Sequence, residues 1–257
     1  MAENVEYDDA MRAMLDLVWG EGYMSPGGEG NIANLVAGLE IRDKRILDVG
    51  SGQGSPACFL AESYGVFVVG IDIEPQLVEI STARAVERGL EERTQFVLVE
   101  PGPMDFPDAS FDFAVSSGGL TQIENKSETL KEVLRVLKPG GIFSCYDWMK
   151  CEGEYSQEML YFFKMEGISY TLKTPDSQCE LLREVGFTGV SAQDRSPWYR
   201  QRVREELEEI QSVHYPQIVE LVGEAAADHY LESWQALKIV CEKGDLLQVY
   251  SRGQKPL

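Results

Sequence analysis

The sequence predicts an α/β protein: a Rossmann-like, doubly wound sheet of about seven strands, mostly parallel, with an N-terminal helical arm and helical cap insertions. Three observations predict it. Short apolar runs alternate with helical patterns from Arg45 to Trp148, which calls for parallel pairing and right-handed crossovers. A glycine-rich turn follows the first run and leads into a helix. The second run ends in an aspartate, Asp72.

Each element follows from local chemistry. The first 39 residues hold an amphipathic stretch, Ala10–Val18, and a glycine-rich turn, Gly20–Gly30, expected to lie as an arm over the ligand-binding opening. Arg45–Gly50 reads as a buried strand, and Pro56–Tyr64 as a helix with an early proline, where a missing N–H costs little. Val66–Asp72 is a second strand. Pro75–Gly89 is a helix closed by glycine. Gln95–Glu100 and Phe111–Ser116 are the third and fourth strands. Ser127–Leu137 is a helix stopped by the turn Lys138-Pro139-Gly140-Gly141, and Ile142–Trp148 is the fifth strand. The rhythm then changes. Tyr155–Gly167 is an aromatic helix outside the crossover pattern, followed by a helix at Asp176–Gly186 and a strand at Thr188–Ala192. Trp198–Val222 and Ala225–Cys241 are two further helices, and Leu246–Tyr250 a last strand. One domain is expected: a cofactor-binding core at 40–150, cap segments at 151–173 and 197–241, and remaining sheet elements at 174–196 and 242–257.

Composition narrows the function. Of 257 residues, 43 are Asp or Glu and 23 Lys or Arg, a formal net charge of −20. So acidic a surface disfavours nucleic acid and anionic membranes and favours cationic ligands. The acidic N-terminus, MAENVEYDDA, lacks the apolar core of a secretory leader, and no apolar run is long enough to span a bilayer. Five cysteines without a C-x-x-C pair fit a reduced, cytoplasmic setting. Two histidines and no His/Cys cluster predict no metal site.

The chemistry concentrates at Asp48-Val49-Gly50-Ser51-Gly52-Gln53-Gly54. Small residues there let the backbone approach a ligand closely. Asp72, eighteen residues beyond Gly54, can accept hydrogen bonds from two ribose hydroxyls. ILDVGSGQG, VVGIDIEPQLVEIS, FPDASFDFAVSSGGL and LKEVLRVLKPGG together resemble class I S-adenosylmethionine-dependent methyltransferases over residues 40–150. The resemblance implies S-adenosyl-L-methionine as cofactor, with S-adenosyl-L-homocysteine as product. It implies a cofactor site of Tyr23, Asp48, Gly50, Ser51, Gly52, Gly54, Asp72, Ile73, Gln76, Glu100, Pro101, Ser116 and Ser117. In that reading the glycines pass beside the methionine part, Asp72 holds the ribose and Ile73 lies against the adenine.

The flanks resemble the phosphoethanolamine and the sarcosine and dimethylglycine N-methyltransferases, through Gly22-Tyr23-Met24-Ser25-Pro26-Gly27-Gly28 and Glu232-Ser233-Trp234. Against that pattern, Gln122 stands where phosphoethanolamine enzymes have a catalytic histidine, and Ile168 where they have a phosphate-gripping base. The expected activity is methyl transfer to a small amine or amino acid. S-methylation of a thioether or thiol, or a non-catalytic cofactor sensor, are the alternatives. Tyr23 and Gln122 are the catalytic candidates, Tyr23 to orient the acceptor and take up its proton and Gln122 to orient only. Gln122, Asp147, Trp148, Tyr161, Tyr170, Trp198, Tyr199, Arg202 and Lys238 are the acceptor-binding candidates, because an aromatic wall attracts a methylated cation.

Overall fold

The computed structural model describes residues 9–168 and 170–257. Most of the acidic N-terminal stretch read above, residues 1–8, lies outside the described residues. The sheet has seven strands: β1 (Arg45–Val49), β2 (Phe67–Asp72), β3 (Thr94–Leu98), β4 (Phe111–Ser117), β5 (Leu137–Lys150), β6 (Thr188–Asp194) and β7 (Leu246–Gln254). Their order is β3-β2-β1-β4-β5-β7-β6. The first five strands pair in parallel, and β7 runs antiparallel to both β5 and β6. The reversal of direction in chain order lies between β1 and β4, so the carboxyl edge of those two strands is where a crevice opens.

Helices cover both faces. Gly28–Leu35 (α2), Ser55–Tyr64 (α3) and Pro75–Glu87 (α4) lie on one. Ile32 and Leu35 of α2, Ala57 and Leu60 of α3, and Ile46, Val68, Val115 and Tyr146 of the strands form one buried cluster. Lys126–Val136 (α5) and Pro175–Val185 (α7) cover the other face, where Leu130, Val133 and Leu182 bury against Leu47, Val69, Ala114 and Phe143. The alternation along each strand sends neighbouring residues to opposite clusters, as a strand's two-residue period requires. A third cluster builds the cap. Asp9–Trp19 (α1), Gln157–Glu166 (α6), Ser196–Glu209 (α8), Tyr215–Val222 (α9) and Glu224–Lys243 (α10) bury Met14, Phe162, Val203, Ile218 and Leu237 together.

Several expectations are corrected. The third strand stops at Leu98, not Glu100: its neighbour β2 ends at Asp72, whose carbonyl takes the N–H of Val99, so Glu100 has no strand to pair with. The segment Lys138-Pro139-Gly140-Gly141 lies within β5 as an irregularity; the pairing of β4 with β5 jumps from Phe111↔Leu137 to Phe113↔Ile142. The Gly20–Gly30 turn gives way at Gly28 to α2, a helix held by burial of Ile32 and Leu35 rather than by helix propensity. The helix expected over Trp198–Val222 is broken by a π turn at Ile210–His214 before α9. Pro216 has no N–H and would clash in a continuous α-helix. The last strand is longer than expected and runs to Gln254.

Candidate active site

The glycine turn between β1 and α3 forms the floor. Gly50 sits at φ +73°, and a Cβ there would lie 3.0 Å from the Cα of Gly119 in the loop after β4. Gly119 in turn comes so close to β1 that a Cβ would meet the Val49 carbonyl at 2.7 Å. These two glycines let the β1–α3 turn and the loop after β4 touch backbone to backbone. Asp72 clasps the turn from the side: its carboxylate accepts the N–H of Gly52 at 2.9 Å and that of Glu74 at 3.1 Å. Each oxygen keeps a lone pair beyond those bonds. Beside it Ile73 projects an apolar side chain 57% exposed, the kind of rim contact a flat heteroaromatic ring can use.

Beneath the turn lies Asp48, buried at the end of β1, and its Oδ2 has no hydrogen-bond partner. Burial, with the charge of Asp72 adding to it, pushes its carboxyl up to about 7. Burial also raises Asp72, against the pull of the backbone N–H groups it binds. Two neighbouring carboxylates, one orphaned, make a site that would be stabilised by a bound cation or donor. Ser51 is buried there with its hydroxyl likewise unpartnered.

The arm is stapled over this floor. Asp16 of α1 accepts the N–H of Gly22 at 2.7 Å and the Gln53 amide at 3.2 Å. Ser55 donates to the Glu21 carbonyl at 2.7 Å, and Arg84 of α4 binds both the Gln53 carbonyl and the Glu21 carboxylate. Met24 thereby lies against Gly52, where a Cβ would meet its Sδ at 2.8 Å. Ser25 bonds Ser117 at the end of β4 at 2.7 Å. Met24, Ser25 and Gln53 belong to the site's surroundings and escaped the sequence reading, since only the tertiary fold lays the arm on the turn.

Several expected residues lie elsewhere or are engaged otherwise. Tyr23 packs its ring among Ile32, Leu35, Ala57 and Leu60. Burial and then Glu29 push its phenol well above the ordinary value, which favours the neutral hydroxyl. Ser116 is buried and donates its hydroxyl to the Val49 carbonyl at 2.8 Å, so that donor is spent. Gln76, Glu100 and Pro101 are exposed, and Gln76 donates to Asp9. Tyr161 is 42% exposed and bonded to Glu232. Arg202 is paired with Glu205, Glu206 and Glu209, and Lys238 with Glu242 at 3.7 Å. Trp198 lies over Gly27, and Tyr199 is buried with its hydroxyl on Glu206.

Trp148 and Tyr170 do line a cleft, with a volume of about 50 Å³, between α1, the end of β5, α6 and α10. Met11, Leu15 and Trp19 of α1, Phe162 and Glu166 of α6, and Ser233 and Trp234 of α10 complete much of it. Met11, Leu15 and Trp19 recur at four-residue spacing on α1, the one signal by which sequence could have found them. Asp147, preceding Trp148, is buried and accepts from the Thr121 hydroxyl and from the Trp148 N–H at 3.1 Å. Burial raises its carboxyl and lowers the ammonium of Lys126, whose Nζ bonds the Ile123 carbonyl at 2.7 Å. This places Asp147 behind the cleft, in contact with the loop that ends at Gln122, itself half-buried.

Residues 47–145, from β1 into β5, match the family model of the methyltransferase domain. Over that span the chain is similar to a methyltransferase domain. Over 210 residues it is 29% identical to phosphoethanolamine N-methyltransferase 1 of Zea mays, covering 81% of this chain and 41% of that protein. The chain thus spans less than half the length of the plant relatives it matches. Phosphoethanolamine N-methyltransferase 2 of Haemonchus contortus, solved with phosphomonomethylethanolamine and S-adenosylhomocysteine, superposes with a TM-score of 0.90 at 20% identity, over 99% of this chain and 59% of that one. A Galdieria sulphuraria protein described as a putative sarcosine dimethylglycine methyltransferase superposes at 0.84 with 18% identity, over 98% of this chain and 99% of that one. These likenesses place the methyltransferase domain, arm and cap in one common architecture. No helix among the described residues is long and apolar enough to cross a membrane.

Proposed function

We propose that this chain is an S-adenosylmethionine-dependent methyltransferase acting on a small amine. The observation that carries the reading is the pair of buried carboxylates at the glycine turn: Asp72 clasping Gly52, and Asp48 with an orphaned oxygen beneath it. The residues present fit the cofactor. Asp48 would face its cationic methionine end, Asp72 would accept from its ribose hydroxyls, and Ile73 would cover its base. Gly50 and Gly52 let Gly119 and Met24 close on the turn, which shapes the floor on which it would lie. The relatives named above carry the same activity in their names, which supports an amine acceptor.

An amine's lone pair forms the new C–N bond to the methyl of a bound sulfonium, while the S–C bonding pair stays on sulfur. The chain's own part is to align and to exclude water. The arm, stapled by Asp16, Ser55 and Arg84, closes the turn from one side. The cap closes the acceptor side through Trp148 and Tyr170. A tertiary amine needs no base, which suits Gln122 at the position where a histidine is expected, and suits a Tyr23 that stays protonated.

The test is calorimetry with S-adenosylhomocysteine, followed by methyl transfer from labelled S-adenosylmethionine to a panel of amines, amino acids and thioethers. Wild-type protein binds S-adenosylhomocysteine, and Asp72→Ala weakens that binding at least tenfold. Absence of binding, or an Asp72→Ala variant that binds as wild type, sinks the assignment. Labelled thioether product with no amine product would replace nitrogen by sulfur as the acceptor. Tight cofactor binding with no product from any acceptor would favour a sensor.

A further inference from the structure

The cleft beneath the cap has a composition that decides between kinds of acceptor. Six aromatic rings stand around it, those of Trp19, Trp148, Phe162, Tyr170, Tyr230 and Trp234. Trp19 and Trp234 meet at 5.7 Å and 51°, and Phe162 and Tyr170 at 5.9 Å and 30°, so the rings form walls at different angles rather than one stack. The one carboxylate in the lining is Glu166, at the last turn of α6. Ser233 donates to one of its oxygens at 2.7 Å and Tyr170 to the other at 3.3 Å, which fixes the carboxylate plane in the cleft. Among the described residues, no lysine or arginine lines the space. The histidine that does, His229, has its Nε2 on the Met165 carbonyl at 2.9 Å. The nearby basic residues of the cap are held by glutamates of their own helices, Arg202 on α8 and Lys238 on α10.

A phosphate or carboxylate tail entering this cleft would meet the Glu166 carboxyl group and no guanidinium or ammonium to receive it. A small alkylated ammonium meets the opposite: π faces on several sides and a carboxylate held by two donors. The volume, about 50 Å³, suits a compact head group. Resting on the methyltransferase reading above, we propose that the acceptor is a small tertiary amine without an acidic tail, and that Glu166 and the surrounding rings hold the quaternary ammonium head it becomes. Glu166 is the specificity-determining residue of this cleft.

Three of the six rings are tryptophans, so binding is read directly by tryptophan fluorescence, with no need for turnover. The probes are choline, its uncharged isostere 3,3-dimethyl-1-butanol, and phosphocholine, each titrated with and without S-adenosylhomocysteine. The expected result is choline bound at least tenfold more tightly than the isostere and more tightly than phosphocholine. Glu166→Gln should lose at least tenfold in choline affinity while S-adenosylhomocysteine affinity stays within twofold. Equal binding of choline and the isostere by wild-type protein, or tighter binding of phosphocholine, overturns the proposal without recourse to any variant. Failure of S-adenosylhomocysteine to bind strikes the methyltransferase reading instead, and the choline titrations without it still decide the cleft.

Discussion

Asp48 is buried with one carboxylate oxygen unpartnered. An acid raised from its ordinary value to about 7 binds a proton in the folded state that the unfolded chain has already released. Stability is therefore greatest at or below about pH 4 as far as this group is concerned, and falls as pH rises toward 7, by up to about 4 kcal/mol. Asp48→Asn removes that term. It should raise Tm measured at pH 8 relative to wild type and change it far less at pH 5; an equal shift at both pH values would mean that the carboxylate is compensated. The same orphaned charge is useful to a ligand's ammonium group, so wild-type affinity for S-adenosylhomocysteine, whose α-ammonium is charged over this range, should rise several-fold from pH 6 to pH 8, and the Asp48→Asn protein should lose that rise. Glu206 is a buried acid of another kind. Burial raises it to about 7 as well, yet it accepts from Trp19, Tyr199 and Trp234 and lies beside Arg202. Its bonds tie α1 to α8 and α10, and its role is to hold the walls of the cleft.

Elements meet at this site through backbone rather than side chains. The β1–α3 turn and the loop after β4 approach so closely that Gly119 cannot gain a methyl group without displacing the Val49 carbonyl. Gly119→Ala should cost about 1–3 kcal/mol and lower Tm by roughly 3–8 °C, with weaker S-adenosylhomocysteine binding because the two segments are pushed apart. An unchanged Tm would show that the loop gives way freely. The arm is attached differently, by polar staples: Asp16 to Gly22 and Gln53, and Arg84 to Glu21 and Gln53. On the far side of the domain Arg135 of α5 binds Glu132, Asp108 and the carbonyls of Met104 and Phe106, pinning the segment between β3 and β4 to the sheet.

Across the whole molecule the net charge of −20 acts on stability as well as on ligand choice. Self-repulsion of an acidic surface is screened by salt, with a Debye length of about 10 Å at 0.1 M and about 3 Å at 1 M. Tm should therefore climb by several degrees between 20 mM and 1 M KCl at pH 8, and a fall over that range would show that the surface ion pairs outweigh the repulsion. The three apolar clusters divide the labour. Two sandwich the sheet, and the third builds the cap, whose polar and aromatic inner surface lines the cleft around Trp148 and Glu166.

Strand and helix order through β5 was legible in the sequence because each element carries its own period, its proline near the start or its glycine at the end. So was the glycine turn with its two carboxylates, since Asp48, Gly50, Gly52 and Asp72 lie within one strand–turn–helix–strand unit. What only tertiary structure decided lies where distant segments meet. The side chain of Tyr23 turns into the core, the helix before Pro216 breaks through a π turn, and Arg202 and Lys238 are paired with glutamates of their own helices. Trp19, Trp148, Glu166 and Trp234 come from four elements spread over more than two hundred residues. Local periodicity determines which face of each element is apolar, but the composition of a cleft between elements is set by how those faces dock, and docking energy is a property of the assembled cap.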